Sequence, residues 1–154
     1  MERDKINHQA AEPQRSVDTT VVVQRLHANA VLPRKANPTD ACHDLATPEQ
    51  FTLAARATAV VDLGIALQLE PGWEAQVRGR SGLATRGVVV HPGTIDHLYR
   101  LPLKVIIHNL SGEEFCFEAG QRIAQLKIER VSGVEFLEGT VEATARGGLG
   151  STGM

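Results

Sequence analysis

Three short segments of this chain carry residue types suited to holding an anion or activating water. In Gly79-Arg80-Ser81-Gly82 the arginine offers a planar fork of donors, the serine a hydroxyl, and the glycines let backbone N–H groups come close to an anion. That combination suits a phosphate, and it also describes a plain turn. In Pro92-Gly93-Thr94-Ile95-Asp96 a turn delivers one carboxylate, with Tyr99 and Arg100 just beyond it. Such an aspartate is either a general base or a turn residue bonding its own backbone, and in isolation the turn is the simpler reading. The third segment, Arg146-Gly-Gly-Leu-Gly-Ser-Thr-Gly153, combines a guanidinium, hydroxyls and glycines. It could fold over a triphosphate or stay a flexible terminus.

Other chemistries find little support. The six histidines show no His-x-His or His-x-x-x-His spacing, so surface or hydrogen-bonded histidines are expected rather than a metal site. Neither the P-loop pattern nor the dinucleotide-binding Gly-x-Gly-x-x-Gly after a strand is present. Cys42 and Cys116 lie far apart, which fits buried thiols in a reduced, cytoplasmic setting. The formal charge is −2 with both signs interspersed, so no basic field exists for nucleic acid or an anionic membrane. No apolar run approaches the ~18 residues of a membrane span, and Met1–Ser16 is too polar for a signal peptide.

The elements that must position these segments read as strands. Residues 1–16 are polar and aperiodic and are expected to be a disordered extension. Apolar residues then fall on alternate positions from Phe51 to Leu69, the period of a half-buried sheet, with Gly64 marking an irregularity. Trp73–Val77, Val88–Val90, Leu103–Ile107, Phe115–Phe117, Ile123–Ile128 and Val134–Leu137 are further strand candidates. Pro71-Gly72, His91-Pro92-Gly93, Ser111-Gly112, Ala119-Gly120 and Ser132-Gly133 punctuate them. Many short strands with regular turns predict an all-β sandwich or barrel. Aromatic residues make up only 4 % of the chain, so the core must be aliphatic. All fourteen glycines lie between Gly64 and Gly153, which suggests a turn-rich body over 17–138 and a Gly-rich C-terminal arm over 139–154.

In order and spacing, these segments resemble the trimeric dUTP diphosphatases (dUTPases). Five motifs carry the resemblance: Ala41-Cys-His-Asp-Leu45, Gly79-Arg-Ser-Gly-Leu-Ala84, Gly93-Thr-Ile-Asp-His-Leu-Tyr-Arg100, Gly120-Gln-Arg-Ile-Ala-Gln-Leu126 and the tail from Arg146 to Gly153. The resemblance implies a jelly-roll-like β-barrel, a homotrimer with shared active sites, and hydrolysis of dUTP to dUMP and pyrophosphate with Mg²⁺. It makes Asp96 the catalytic residue that activates water. Thr94, Ile95 and the backbone on to Lys104 would read the uracil edge, and Tyr99 would lie against the deoxyribose. Arg80, Ser81 and Gly82 would grip the phosphates, Gln125 would position water or phosphate, and Asp44 would reach Mg²⁺ through coordinated water. Arg146, Leu149, Gly150 and Ser151 of the flexible arm would close over a neighbouring subunit's site.

The chain departs from the family in several places. His43 stands where an aromatic is usual, Gly79 where proline is, Val90 where asparagine is common, and Leu149 replaces the tail phenylalanine. His97-Leu98 and Leu101-Pro102 remove an acidic residue and a glycine from the third motif, and the tail motif is about two residues short. The alternative to an enzyme is a non-catalytic dUTPase-like nucleotide-binding regulatory trimer. The related dCTP deaminases need a glutamate on the strand after the third motif. Leu103-Lys-Val-Ile-Ile-His-Asn109 has no acid, which argues against that activity.

Overall fold

The computed structural model describes residues 17–144. Eleven strands and one helical turn follow in order. They are β1 (Val22–Arg25), β2 (His43–Ala46), β3 (Phe51–Leu53), β4 (Thr58–Asp62), β5 (Ile65–Gln68) and β6 (Trp73–Arg78), then the turn α1 (Ser81–Ala84). After it come β7 (Val88–Val90), β8 (Gly93–Ile95), β9 (Lys104–Asn109), β10 (Phe115–Phe117) and β11 (Arg122–Arg130). Every pairing is antiparallel. The ladders are β1–β5, β3–β10, β2–β11–β6–β8 and β4–β9–β7. Among the described residues no helix is long and apolar enough to cross a membrane.

The alternation from Phe51 to Leu69 sorts the two faces as expected except at Ala55, which is exposed, and Ala66, which is buried. Leu53, Leu63, Ile65, Leu67 and Leu69 are buried, while Thr52, Thr58, Asp62 and Gln68 face outward. The run is nevertheless three strands. It breaks once at Arg56, whose φ of 60° is left-handed, and again at Gly64 with φ 64°. At Gly64 a Cβ would stand 2.5 Å from the Cβ of His27, so glycine is needed both for the turn and for the close approach. The segment Val134–Leu137 is not a strand: residues 131–144 have no regular structure and are exposed. Two short strands were not visible in the sequence, β2 and β8, and the second occupies what reads as a turn after Pro92. Cys42 is half-buried and Cys116 exposed, so the thiols are not the buried pair expected, although both are free.

Side chains from all four ladders meet in one aliphatic core, with Ile65, Ala75, Val105, Ile107 and Ile123 fully enclosed. Phe117 stacks on Phe51 at a centroid distance of 4.8 Å and closes one end. One polar residue is built into this end. Asn109, 1 % exposed, donates from Nδ2 to the carbonyls of Leu53, Ala54 and Glu113, and its Oδ1 accepts from the N–H and hydroxyl of Ser111. It thereby satisfies the backbone where β3 ends and the 110–113 turn begins. Removing the amide takes one donor from each of those carbonyls and leaves the Ser111 N–H without its acceptor. Asn109→Ala is expected to lower unfolding stability by about 3 kcal/mol, read from urea titrations as a shift in midpoint at constant slope.

Candidate active site

The phosphate-like segment lies where β6 ends. Gly79 and Arg80 lead into α1, and buried Leu83 anchors that turn to the core, leaving Ser81 and Gly82 exposed. As the first residues of a helical turn, Ser81 and Gly82 have N–H groups with no partner inside it. The loop is tied down from two sides. Gln125 Nε2 donates to the Gly79 carbonyl at 2.6 Å, and Arg80 Nη1 donates to the Arg122 carbonyl at 2.8 Å.

Asp44 on β2 completes this cluster. Its Oδ1 lies 3.6 Å from Arg80 Nε, and its Oδ2 accepts from Arg122 Nη1 at 3.0 Å. Asp44 is paired across the ladder with Gln125, and Gln125 in turn with Arg78 on β6. Four residues from three distant segments therefore meet at one end of the four-stranded sheet: Asp44, Arg80, and Arg122 with Gln125. Three of them were expected; Arg122 was not, although it lies inside the fourth motif.

The second group of expected residues lies elsewhere. Thr94 is exposed on β8 opposite Gln76, Ile95 packs against the core, and exposed Asp96 follows directly. The chain then turns, with the Tyr99 N–H donating to the Asp96 carbonyl at 3.0 Å. The Tyr99 hydroxyl donates to the Pro102 carbonyl at 3.0 Å, which fixes the half-buried ring. Arg100 folds back onto the carbonyls of His97 and Tyr99. Lys104 is exposed at the start of β9, opposite Asp62.

Register separates the two groups. Gln125 is level with Arg78, whereas Ile95 is level with Ala75, so Asp96 falls toward the other end of β6, near the Glu74 row. From the Arg78 row to the Glu74 row is about 13 Å at roughly 3.3 Å per residue. A single chain thus presents a carboxylate on a hairpin and a cationic grip, but not face to face. Arg146, Leu149, Gly150 and Ser151 lie outside the described residues.

Among the described residues no group of three or more His, Cys, Asp or Glu is arranged to hold a metal. Asp44 alone suits only a hydrated Mg²⁺ that draws its remaining oxygens from a bound phosphate chain. A carboxylate has about four lone-pair sites, so its two arginine contacts leave room for a coordinated water.

The sequence model of the dUTPase family matches residues 28–153, a span that includes both groups of residues. The chain belongs to the dUTPase family. It is 44 % identical over 135 residues to the deoxyuridine 5'-triphosphate nucleotidohydrolase of Wolinella succinogenes, covering 84 % of this chain and 91 % of the relative. With the enzyme of the same name from Helicobacter pylori (strain P12) it shares 39 % over 140 residues, 87 % of this chain and 97 % of the other. The fold matches that of the Staphylococcus bacteriophage 80alpha dUTPase with dUPNHPP. There the TM-score is 0.77 at 25 % identity, over 88 % of this chain and 99 % of the phage protein. A mutant dUTPase from phage phi11 of S. aureus, described as coordinating a structural Mg(II) ion, matches with a TM-score of 0.72 at 24 % identity. That match covers 78 % of this chain and 96 % of the phage one. The jelly-roll-like all-β architecture of dUTPases is thus the architecture of this chain.

One dUTPase departure has a physical consequence beside the site. His43 precedes Asp44 and faces a groove with Lys35, Trp73 and Leu126, and its Nδ1 is buried without a hydrogen-bond partner among the described residues. Burial holds its pKa below the ordinary 6.5, helped by the charge on Lys35 and opposed by a backbone hydrogen bond at Leu126. Between the lowered value and 6.5 the native state binds fewer protons than the unfolded chain, so stability falls as pH drops through that window. Thermal melts at pH 7.5 and pH 5 are expected to show a smaller acid-induced loss of Tm for His43→Phe than for the wild type.

Proposed function

We propose that this chain is a dUTP diphosphatase, which hydrolyses dUTP to dUMP and pyrophosphate as a homotrimer with shared sites. The observation that carries the proposal is the split arrangement: a hairpin with a solitary carboxylate at one end of β6, and a phosphate-suited grip at the other. Neither half is a site by itself. Two copies that set one chain's Asp96 against another's Arg80 would assemble one.

In that assembly Asp96 accepts a hydrogen bond from a water and orients its oxygen toward the α-phosphorus. The new P–O bond forms as the bond from the α-phosphorus to the α–β bridging oxygen breaks, Asp96 takes the proton the water loses, and pyrophosphate leaves. Arg80 with the Ser81 and Gly82 N–H groups binds the phosphate oxygens, and Gln125 holds the Gly79 carbonyl so that this loop keeps its shape. Backbone from Thr94 to Lys104 would take the uracil edge, with the Tyr99 ring against the deoxyribose. Mg²⁺, reached from Asp44 through water, would supply charge stabilisation on the phosphates.

A multimeric state is supported by apolar surface left uncovered on one chain. Val134, Phe136, Leu137 and Val141 are exposed in the irregular segment after β11, Phe136 by 93 %. A groove of about 430 Å³ lined by Val21, Val23, Leu67, Trp73 and Ile128 is also open. The retained Asp96 disfavours the alternative of a non-catalytic, nucleotide-binding regulatory trimer. The cytoplasmic setting that two free cysteines suggest suits sanitation of a nucleotide pool.

Asp96→Asn is expected to abolish pyrophosphate release from dUTP while dUTP binding persists. Arg80→Ala should be equally inactive. Co-refolding the two inactive variants in equal amounts should restore about a quarter of wild-type activity, because random pairing joins an intact hairpin to an intact grip at that frequency. No recovery would show that each site is built within one chain, and turnover by Asp96→Asn would remove the carboxylate from the mechanism.

A further inference from the structure

We infer that Arg122 is a positioning residue for the phosphate grip, brought onto the site face of the sheet by a β-bulge at Ile123. The inference rests on reading Gly79–Gly82 as that grip, and it concerns a side chain to which no role has yet been given.

The geometry begins with strand periodicity. Residues three apart on a regular strand point to opposite faces, so Arg122 and Gln125 should not share one. On β11 they do. Arg122 pairs with Ala46 and Ala124 with Leu45, a register shift that leaves Ile123 as the extra residue. The burial pattern carries the same mark: Ile123 and Ala124 are both fully buried in succession, where alternation would expose one. A bulge re-aims the residues on either side of it, and bulges gather beside functional sites.

The re-aimed guanidinium meets Asp44 Oδ2 at 3.0 Å, while Arg80 approaches Oδ1 of the same carboxylate at 3.6 Å. Asp44 is therefore steered by Arg122 on one side and steers Arg80 on the other. Arg122 also presents its own carbonyl to Arg80 Nη1. Two guanidinium groups would repel one another without the shared carboxylate. With it, Arg80 is held by Nε and one Nη, and the rest of its fork stays free for a phosphate. The Arg122 side chain thus acts through Asp44 and needs no contact with substrate.

This separates Arg122 from a residue that merely adds positive charge. Calorimetric binding of inorganic tripolyphosphate and steady-state kinetics with dUTP read the two halves of the test. In Arg122→Ala, tripolyphosphate affinity should fall about tenfold and KM for dUTP should rise in parallel, the scale set by a lost charge-assisted hydrogen bond. kcat should stay within about twofold, since Asp96 is untouched. Arg122→Lys should recover part of the loss, because an ammonium can reach the carboxylate as a point charge. In an Asp44→Asn background, Arg122→Ala should cost nothing further.

A loss of melting temperature with unchanged tripolyphosphate affinity would make Arg122 structural only and overturn the inference. So would an undiminished Arg122→Ala effect in the Asp44→Asn background, which would mean direct attraction of the phosphates. Should Arg122→Ala fail to fold, Arg122→Gln is read in the same way. Wild-type protein that binds tripolyphosphate without hydrolysing dUTP would sink the proposed activity while leaving the Arg122 result legible. Wild-type protein that binds no tripolyphosphate would sink both.

Discussion

Asp44 carries one negative charge between two guanidinium groups, and the geometry of the phosphate-suited end of the sheet follows from that arrangement. The carboxylate belongs to β2, one arginine to the loop after β6, the other to the start of β11. The contact contributes little to stability. The side chains are 22 %, 29 % and 52 % exposed, and partly solvated pairs are worth roughly 0–1 kcal/mol. What it supplies is direction. Arg80 would otherwise sample many rotamers, and each would place its donors somewhere else. Held by one carboxylate oxygen and one carbonyl, the guanidinium has a defined plane before any ligand arrives. Preorganisation of this kind lowers the ordering cost of binding.

That arrangement depends on a backbone irregularity, and this sets a limit on what sequence reading could find. Period-two reasoning placed Leu53, Leu63, Ile65, Leu67 and Leu69 on the inner set, where they are buried, but it did not foresee Ala66, which is buried on the outer set of β5. It could not find β2, whose four residues mix His43 and Asp44 with Leu45 and Ala46 and owe their strand form to pairing with β11. It also missed β8, where Gly93-Thr94-Ile95 offers no apolar alternation and gains its conformation from β6. The adjacent Ile123 and Ala124 were the one local sign of a bulge. Without the register they read as an ordinary stretch of strand.

The site residues divide in the same way. Arg80, Asp96, Tyr99 and Gln125 were recognisable by type within motifs, whereas Arg122 depends on a partner 78 positions away and on the bulge that turns it outward. The separation of Asp96 from the cationic cluster could not be foreseen either. It is fixed by which row of β6 each neighbour pairs with, and ladder register is a non-local property. Motif order along the chain says nothing about which motifs meet within one molecule. The split has a consequence for assembly: an isolated chain holds Asp96 away from its own Arg80. On the proposed function, catalysis and oligomerisation would then be one requirement rather than two.

The hairpin that bears Asp96 shows how a departure from the family pattern can leave the site's frame intact. A glycine and an acidic residue usual there are replaced by Leu101 and Leu98, and both leucines are exposed, at 66 % and 77 %. The turn does not need the glycine's freedom, since among the described residues only Arg56 is a non-glycine residue with positive φ. Its shape comes from internal hydrogen bonds: Tyr99 N–H to the Asp96 carbonyl, the Tyr99 hydroxyl to the Pro102 carbonyl, and Arg100 onto the carbonyls of His97 and Tyr99. Pro102 restricts the residue before it and removes a donor at the point where the chain turns into β9. The loop therefore presents Asp96 through its own backbone and the two side chains that follow. Substitution at positions 98 and 101 changes the apolar surface offered to a neighbour while the carboxylate stays on the frame that carries it.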